Sequence, residues 1–285
     1  MKIRFVGIII KQNAPEPARI GEELAAWFER RRIATRIDEI DAEMDMLVIL
    51  GGDGTLLHVA ARASRLDIPV VGINLGNLGF LTEVAASEIY PALETILAGK
   101  IRMEKRLMLR ARLYRQANGE KSRSLFSLNE VVIAKSNTER MVRFRAWADS
   151  EYITTYKADG LIIATPTGST AYNLSAGGPI AQPELNTLLV TPICPFMLGS
   201  RPLLLSPRTR ITTQMAEPSV DVKIIIDGRP AWDMHQDDCL LVEAAGKPLQ
   251  LISSPHKGYF TILRNKLNWG GRERDQPLPK LITSR

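Results

Sequence analysis

The run Gly51-Gly52-Asp53-Gly54-Thr55 sets one carboxylate among three glycines. It follows the apolar stretch Met46 to Leu50 and precedes a helical pattern from Leu56 to Ala63. Glycines let the backbone approach a ligand closely. The N–H groups of such a turn and of the next helix start form a partly positive cradle for phosphate. Asp53 is the one group there that could take a proton or hold a metal ion. The combination suits phosphoryl transfer, in which positioning and charge stabilisation supply most of the catalysis. Taken alone, the run also reads as an ordinary turn with an Asx-type hydrogen bond. Its place at the carboxyl end of a strand, where α/β sheets bind ligands, favours the site.

A second segment, Ala158-Asp159-Gly160 through Thr165-Pro166-Thr167-Gly168-Ser169-Thr170-Ala171-Tyr172-Asn173-Leu174-Ser175, is dense in small and hydroxyl residues. Leu161 to Ala164 reads as a strand, Thr165 to Thr170 as a turn. Ser169 or Thr170 is placed to cap a helix over Ala171 to Ala176, a second anion cradle. A capped helix after a proline turn is the plainer alternative. Asn129-Glu130 opens another apolar strand, Val131 to Ala134. An amide beside a carboxylate can bind sugar hydroxyls or an adenine edge, or can simply end a hairpin.

The elements that must position these residues fall into two patterns. Ile3 to Ile10, Ile33 to Ile37, Met46 to Leu50 and Ile68 to Asn74 read as strands, with helices over Ala14 to Arg32 and Ser87 to Ala98 between and after them. That alternation argues an open, parallel α/β sheet over residues 1–99. From Lys100, apolar residues alternate with arginines and glutamates (Ile101 to Leu113, then Val142 to Ala146), and Asn118-Gly119 gives a hairpin signal. Period-two patterning over long stretches argues antiparallel sheet. The expected class is therefore α/β: an N-terminal parallel domain, a second, β-rich antiparallel domain over 100–258, and a C-terminal segment, 259–285, expected to pack back on the first.

With 285 residues and 45% hydrophobic residues, the chain can bury two substantial cores. The net charge of +6 is spread rather than blocked, and no basic arm or zinc-finger spacing points to nucleic acid. No run approaches the ~20 apolar residues of a membrane span. The apolar N-terminal stretch is too short for a signal peptide. Cys194 and Cys239 have no metal-type spacing and apolar neighbours, so buried free thiols are expected. There is no G-x-x-x-x-G-K-[ST] and no G-x-G-x-x-G after the first strand, so neither a P-loop nor a Rossmann fingerprint is present.

Together, Gly51-Gly52-Asp53-Gly54-Thr55, Leu128-Asn129-Glu130 and the long Asp159-to-Ser175 segment resemble the motifs of NAD kinases. Asn74-Leu75-Gly76-Asn77-Leu78-Gly79-Phe80-Leu81 and Ser200-Arg201-Pro202 match as well. The first motif alone is shared with lipid and sphingoid kinases; the long segment separates them. The resemblance implies phosphorylation of the adenosine-ribose 2′-hydroxyl of NAD, with ATP or polyphosphate as donor and a divalent metal, Mg²⁺, bridging donor oxygens. It implies Asp53 as general base or as the group that positions the hydroxyl and the metal. Gly54, Asn129, Glu130, Asp159, Thr170, Ala171, Tyr172, Asn173, Leu174 and Ser175 would bind substrate, Tyr172 by stacking or packing on a base. No protein side chain is assigned to the metal; the donor is expected to supply most of its ligands.

The resemblance further implies substrate contacts for His58, Arg140, Lys157 and Arg229. Three departures stand out. Lys157 and Arg229 replace a common arginine and glutamine, and Phe196 replaces a histidine after Pro195. Lysine keeps the charge but lacks arginine's planar fork, which bears on the choice between NAD and NADH. His235 and His256 read as structural or exposed. A homodimer or homotetramer in the cytoplasm is implied by resemblance alone. A lipid or sphingoid kinase and a non-catalytic NAD(P)-binding regulator are the alternatives. The first would need a deep apolar slot, which the hydroxyl-rich second segment argues against.

Overall fold

A computed structural model of the chain describes residues 3–76, 79–136, 141–218, 221–253 and 258–269. They form two compact units. The first comprises the described residues of Met1–Leu56, Val70–Met103 and Ile252–Arg285; the second comprises Leu57–Pro69 and Glu104–Leu251.

In the first unit, strands β1 (Phe5–Ile10), β2 (Ala34–Ile37), β3 (Met46–Leu50) and β4 (Val70–Asn74) pair in parallel in the order β2-β1-β3-β4, with the short β5 (Val84–Ala85) parallel to β4. Every residue of β3 and β4 is buried, as expected of a parallel strand covered on both faces. Helix α1 (Pro15–Glu29) carries its prolines in the first turn, where no helical N–H is needed. Its buried stripe Ile20, Leu24, Trp27 and Phe28 joins Val6, Ile8, Val48 and Leu50 in one core cluster. Helix α2 (Asp53–Leu66) begins three residues before the expected start. The Gly52 carbonyl already accepts from the N–H of Thr55 at 3.0 Å and of Leu56 at 3.4 Å. The glycine run is thus the entry to the helix rather than a separate turn, and Asp53 lies at its positive end. Helix α3 (Ile89–Leu97) buries Leu93 and Ile96 in the same core. The sheet path continues in β19 (Leu249–Ser253) and β6 (Arg102–Arg106), and helix α5 (Tyr259–Leu267) belongs to this unit.

The second unit is a sandwich of two six-stranded antiparallel sheets. One runs β11-β10-β15-β18-β7-β8, from β7 (Leu109–Tyr114), β8 (Leu125–Ser127), β10 (Val142–Ala148), β11 (Glu151–Ala158), β15 (Ile211–Met215) and β18 (Cys239–Ala244). The other runs β14-β13-β12-β9-β16-β17, from β9 (Glu130–Lys135), β12 (Gly160–Ala164), β13 (Leu188–Ile193), β14 (Leu203–Leu205), β16 (Val222–Ile226) and β17 (Arg229–Asp233). Alternate residues from both sheets, Leu109, Ala111 and Leu113 against Val131, Ile133, Leu161 and Ile163, fill the core between them. The outer face of β9 and β12 is buried too. Val132, Ile162 and Ala164 pack with Ala181, so the chain after β12 lies on that face.

Asn118-Gly119 sits in the expected β7–β8 connection, with Gly119 at φ +70°, but in a six-residue turn closed by the Tyr114–Lys121 bridge rather than a two-residue one. The expectation of two buried thiols fails. Both cysteines are free, Cys239 is half-buried and Cys194 is exposed. Cys194 lies just past the end of β13, with a positive φ of +45°. His235 is exposed; His256 and the chain beyond Trp269 lie outside the described residues.

Candidate functional site

The Asp53 carboxylate is locked into its own unit. Oδ2 accepts from the N–H of Phe80 at 2.8 Å. Oδ1 accepts from the N–H groups of Leu81 and Thr82, both at 3.1 Å, and from the Thr82 hydroxyl at 3.0 Å. The same hydroxyl accepts from the Asn74 amide at 2.9 Å, and the Asn74 carbonyl oxygen takes the Gly76 N–H at 2.7 Å. A chain of bonds therefore runs from the end of β4 to the start of α2. Gly79 makes the packing possible, because a Cβ there would lie 2.0 Å from Asp53 Oδ1. Gly52 and Gly54 differ from it. A Cβ on either meets no protein atom within 4 Å, and neither has a positive φ. Nothing within the protein demands a glycine at these two positions.

In the second unit the organising group is Asp227, which sequence reasoning passed over. Asp227-Gly228 is the two-residue turn joining β16 to β17, with both residues at positive φ, 45° and 77°. An Asp-Gly pair between Ile224-Ile225-Ile226 and the next strand was the available signal. The turn aims its carboxylate at the segment before β9. There it accepts from the Ser127 hydroxyl at 2.6 Å and from the N–H groups of Leu128 at 2.8 Å, Asn129 at 2.8 Å and Glu130 at 3.1 Å. Asn129 and Glu130 are thereby fixed. The Asn129 carbonyl accepts from the Thr165 N–H at 2.9 Å, and the Thr165 hydroxyl donates to the Leu128 carbonyl at 2.6 Å. A Cβ on Gly168 would stand 2.1 Å from the Asn129 carbonyl oxygen, so the second motif is clamped directly onto Asn129.

Glu130 is 6% exposed, its Oε2 has no hydrogen-bond partner, and its other contact is the backbone N–H of Tyr172. Burial, then the nearby Asp227 charge, pushes the Glu130 carboxyl up to about 8, against the Tyr172 bond. Burial also raises Asp227, but its four donors favour the anion.

The Thr165-to-Ser175 segment corrects the expected cap. It forms a 3-10 turn, Thr167–Thr170, and a single helical turn, α4 (Tyr172–Ser175), whose N-cap is Ala171 with no side-chain bond. The Ser169 hydroxyl instead lies inside, 2.6 Å from the Pro166 carbonyl and taking the Ala181 N–H at 3.0 Å. The Thr170 hydroxyl turns back to the Thr167 carbonyl at 3.4 Å. One turn of helix makes no macrodipole of consequence, so the expected second cradle is not there. The Asn173 side chain is buried, donating to the Ser169 and Pro179 carbonyls and accepting from Thr191 at 2.7 Å. Tyr172 is 43% exposed, Ser175 exposed, and Ala171 and Leu174 half-buried.

Asp159 and Lys157 lie at the other end of the β9–β12 pair. In that register Glu130 faces Ala164 and Ala134 faces Gly160, four residue steps or roughly 13 Å away. Asp159 is ion-paired with Lys135 at 2.7 Å. Lys157 is exposed, with its ammonium 4.6 Å from the centre of the Phe196 ring, so two of the noted departures touch each other. Arg229 is exposed beside Asp227-Gly228, and His58 is exposed on α2. Arg140 lies outside the described residues. Among the described residues no group of three or more His, Cys, Asp and Glu side chains is arranged to hold a metal ion, and no helix is long and apolar enough to cross a membrane.

The chain has the fold of an NADH kinase and an NAD kinase of known structure. Yeast NADH kinase complexed with NADH superposes with a TM-score of 0.86 at 22% identity, covering 97% of this chain and 90% of that one. An NAD kinase from Archaeoglobus fulgidus in complex with ATP gives 0.73 at 23% identity, covering 93% and 97%. These likenesses establish the fold class, an α/β unit joined to an antiparallel sandwich. The ATP-NAD kinase N-terminal domain family matches residues 32–101, and the ATP-NAD kinase C-terminal domain family matches residues 128–254. NAD kinase of Syntrophotalea carbinolica is 40% identical over 287 residues, covering 95% of this chain and 100% of the relative. That of Heliobacterium modesticaldum is 41% identical over 281 residues, covering 93% and 99%. The chain belongs to the NAD kinase family and is a phosphotransferase with an alcohol acceptor. The lipid-kinase and regulator readings are not favoured.

Proposed function

We propose that the chain moves the terminal phosphate of ATP to the 2′-hydroxyl of the adenosine ribose of NAD, releasing ADP, with Asp53 aligning the acceptor. The observation that carries this reading is the pairing of a rigid Asp53 with two glycines, Gly52 and Gly54, whose missing Cβ atoms no protein atom requires. Space kept clear beside a fixed carboxylate is space for a ligand backbone approach. In the transfer a bond forms from the ribose oxygen to phosphorus, the bond to the bridging oxygen of ADP breaks, and the hydroxyl proton passes by way of the Asp53 carboxylate to solvent. In a loose transition state that proton leaves late, so a fixed acceptor for the hydroxyl contributes more through alignment than through basicity.

In this reading Asn129 and Glu130 hold the dinucleotide, Tyr172 offers its exposed ring to a base, and the backbone from Thr170 to Ser175 lines the same ground. Asp159, Lys157, Arg229 and His58 are further substrate contacts in this reading, and Arg140 joins them on the strength of the sequence resemblance alone. Asn173 contributes through the shape it maintains, since its amide is spent on internal bonds. Magnesium, carried by the donor phosphates, would neutralise charge there, since the described side chains offer it no cage. The exposed apolar side chains Phe196, Met197 and Leu198 support self-association of this β-rich unit into a dimer or tetramer. The cytoplasm is the proposed location. The test is a coupled assay for NADP with purified protein, NAD, ATP and Mg²⁺, with NADH and polyphosphate tried in the same series. NADP formation supports the reading; NAD binding without NADP from any donor sinks it.

A further inference from the structure

The Asp227 and Glu130 carboxyls sit together in a part of the second unit that offers no cation to either. Among the described residues no lysine, arginine or histidine is within ion-pair distance of the two. Arg229 is exposed on the same turn, and Lys135 on β9 is paired with Asp159. Strand β12, which flanks Glu130, carries no titratable side chain. Two buried anions side by side without a cation are costly, and one proton between them removes most of that cost. The hydrogen bonds decide where the proton sits. Asp227 receives four donors, three of them backbone N–H groups that cannot reverse. Glu130 receives one and leaves Oε2 bare.

We propose that Asp227 is a positioning residue that fixes the Leu128–Glu130 turn and holds Glu130 as an uncharged carboxylic acid, so that Oε2, buried and without a partner in this structure, is the hydrogen-bond donor available to a bound dinucleotide. The proposal rests on the dinucleotide-binding role given to this segment above. It reverses the usual expectation for a glutamate at a sugar or base, which is to accept from hydroxyl or amino groups. Glu130 would instead select an acceptor, a carbonyl oxygen or ring nitrogen. The upward displacement of its ionisation to about 8 agrees with this arrangement.

The experiment is calorimetric titration of the full chain with NAD alone, without donor, from pH 6 to 9, for wild type, Glu130→Gln and Asp227→Asn. Glutamine keeps a donor and cannot ionise. The expected result is Glu130→Gln affinity within about threefold of wild type at pH 7 and flat with pH, while wild-type affinity falls as pH rises through about 8. Asp227→Asn removes the neighbouring charge, so its fall comes at lower pH. A tenfold loss in Glu130→Gln at pH 7, or wild-type affinity that does not fall with pH, would overturn the proposal. Carbon-13 NMR of wild-type carboxyl groups needs no variant to fold. It must show Glu130 protonated and Asp227 ionised at pH 7, and the opposite assignment overturns the proposal equally. Neither readout depends on turnover. A protein that binds NAD in this way yet makes no NADP would refute the function and leave this inference standing.

Discussion

Replacing Thr82 by valine removes one oxygen and almost nothing else, which makes it a sharp probe of how Asp53 is held. Thr82 is fully buried. Its hydroxyl donates to Asp53 Oδ1 at 3.0 Å and accepts from the Asn74 amide at 2.9 Å. A hydrogen bond to a charged group is worth about 1.5–3 kcal/mol and a neutral one about 1 kcal/mol. Valine should therefore cost roughly 2–4 kcal/mol. Serine keeps both bonds and loses a buried methyl worth about 1 kcal/mol. At roughly 2–4 °C per kcal/mol for a chain of this size, Thr82→Val should melt roughly 4–16 °C below wild type, and clearly below Thr82→Ser. The carboxylate would keep its backbone donors but lose its fixed orientation. Misplacement by about 1 Å can cost a hundredfold in rate, so kcat for NADP formation should fall at least tenfold in valine with KM for NAD little changed. Calorimetric melting and the coupled assay read both effects. Valine and serine variants that melt within about 2 °C of each other with equal kcat would refute the linkage of Thr82 to Asp53.

Two glycines should separate structure from function. Gly168→Ala puts a Cβ 2.1 Å from the Asn129 carbonyl, and the clash should destabilise by more than about 3 kcal/mol in chemical denaturation. Gly54→Ala meets no protein atom and should leave stability equal or up to about 1 kcal/mol higher, while lowering kcat/KM. Stability should also carry the signature of Glu130. Its folded ionisation lies near 8 against an unfolded value of 4.5, so the folded state holds the extra proton between them. The contribution is full below about 4.5 and is lost as pH rises through 8, at roughly 1 kcal/mol per pH unit at its steepest. Denaturation from pH 4 to 9 should show that slope in wild type and its loss in Glu130→Gln.

Much of this was legible in the residues. Continuous apolar runs ahead of glycines marked β3 and β4, and alternation of arginine with leucine marked β7, because those patterns follow from which faces are buried. The start of α2 was not, since a glycine run reads as a turn until the Gly52 carbonyl is seen to accept helical bonds. The cap on the second motif was misread for a related reason. Ser169 and Thr170 are good capping types, but their hydroxyls turn back to the Pro166 and Thr167 carbonyls three residues earlier, and Ser169 also takes the N–H of Ala181, a partner that only the tertiary packing supplies. Asp227 was missed because its four donors lie 97 to 100 residues earlier in the chain. A turn residue advertises its φ in sequence, but not the distant segment its side chain will hold. The contact between Lys157 and Phe196 likewise joins two positions that sequence could only note separately.

The central claim is that Asp53 serves phosphoryl transfer to NAD. The most direct test is NADP formation from NAD, ATP and Mg²⁺ by wild type and Asp53→Asn, with NAD binding measured alongside. The account predicts robust turnover by wild type and a loss of a hundredfold or more in the variant, with NAD still bound. Equal turnover by the two proteins would show that Asp53 has no part in the transfer, and wild type that binds NAD but forms no NADP would contradict the function itself.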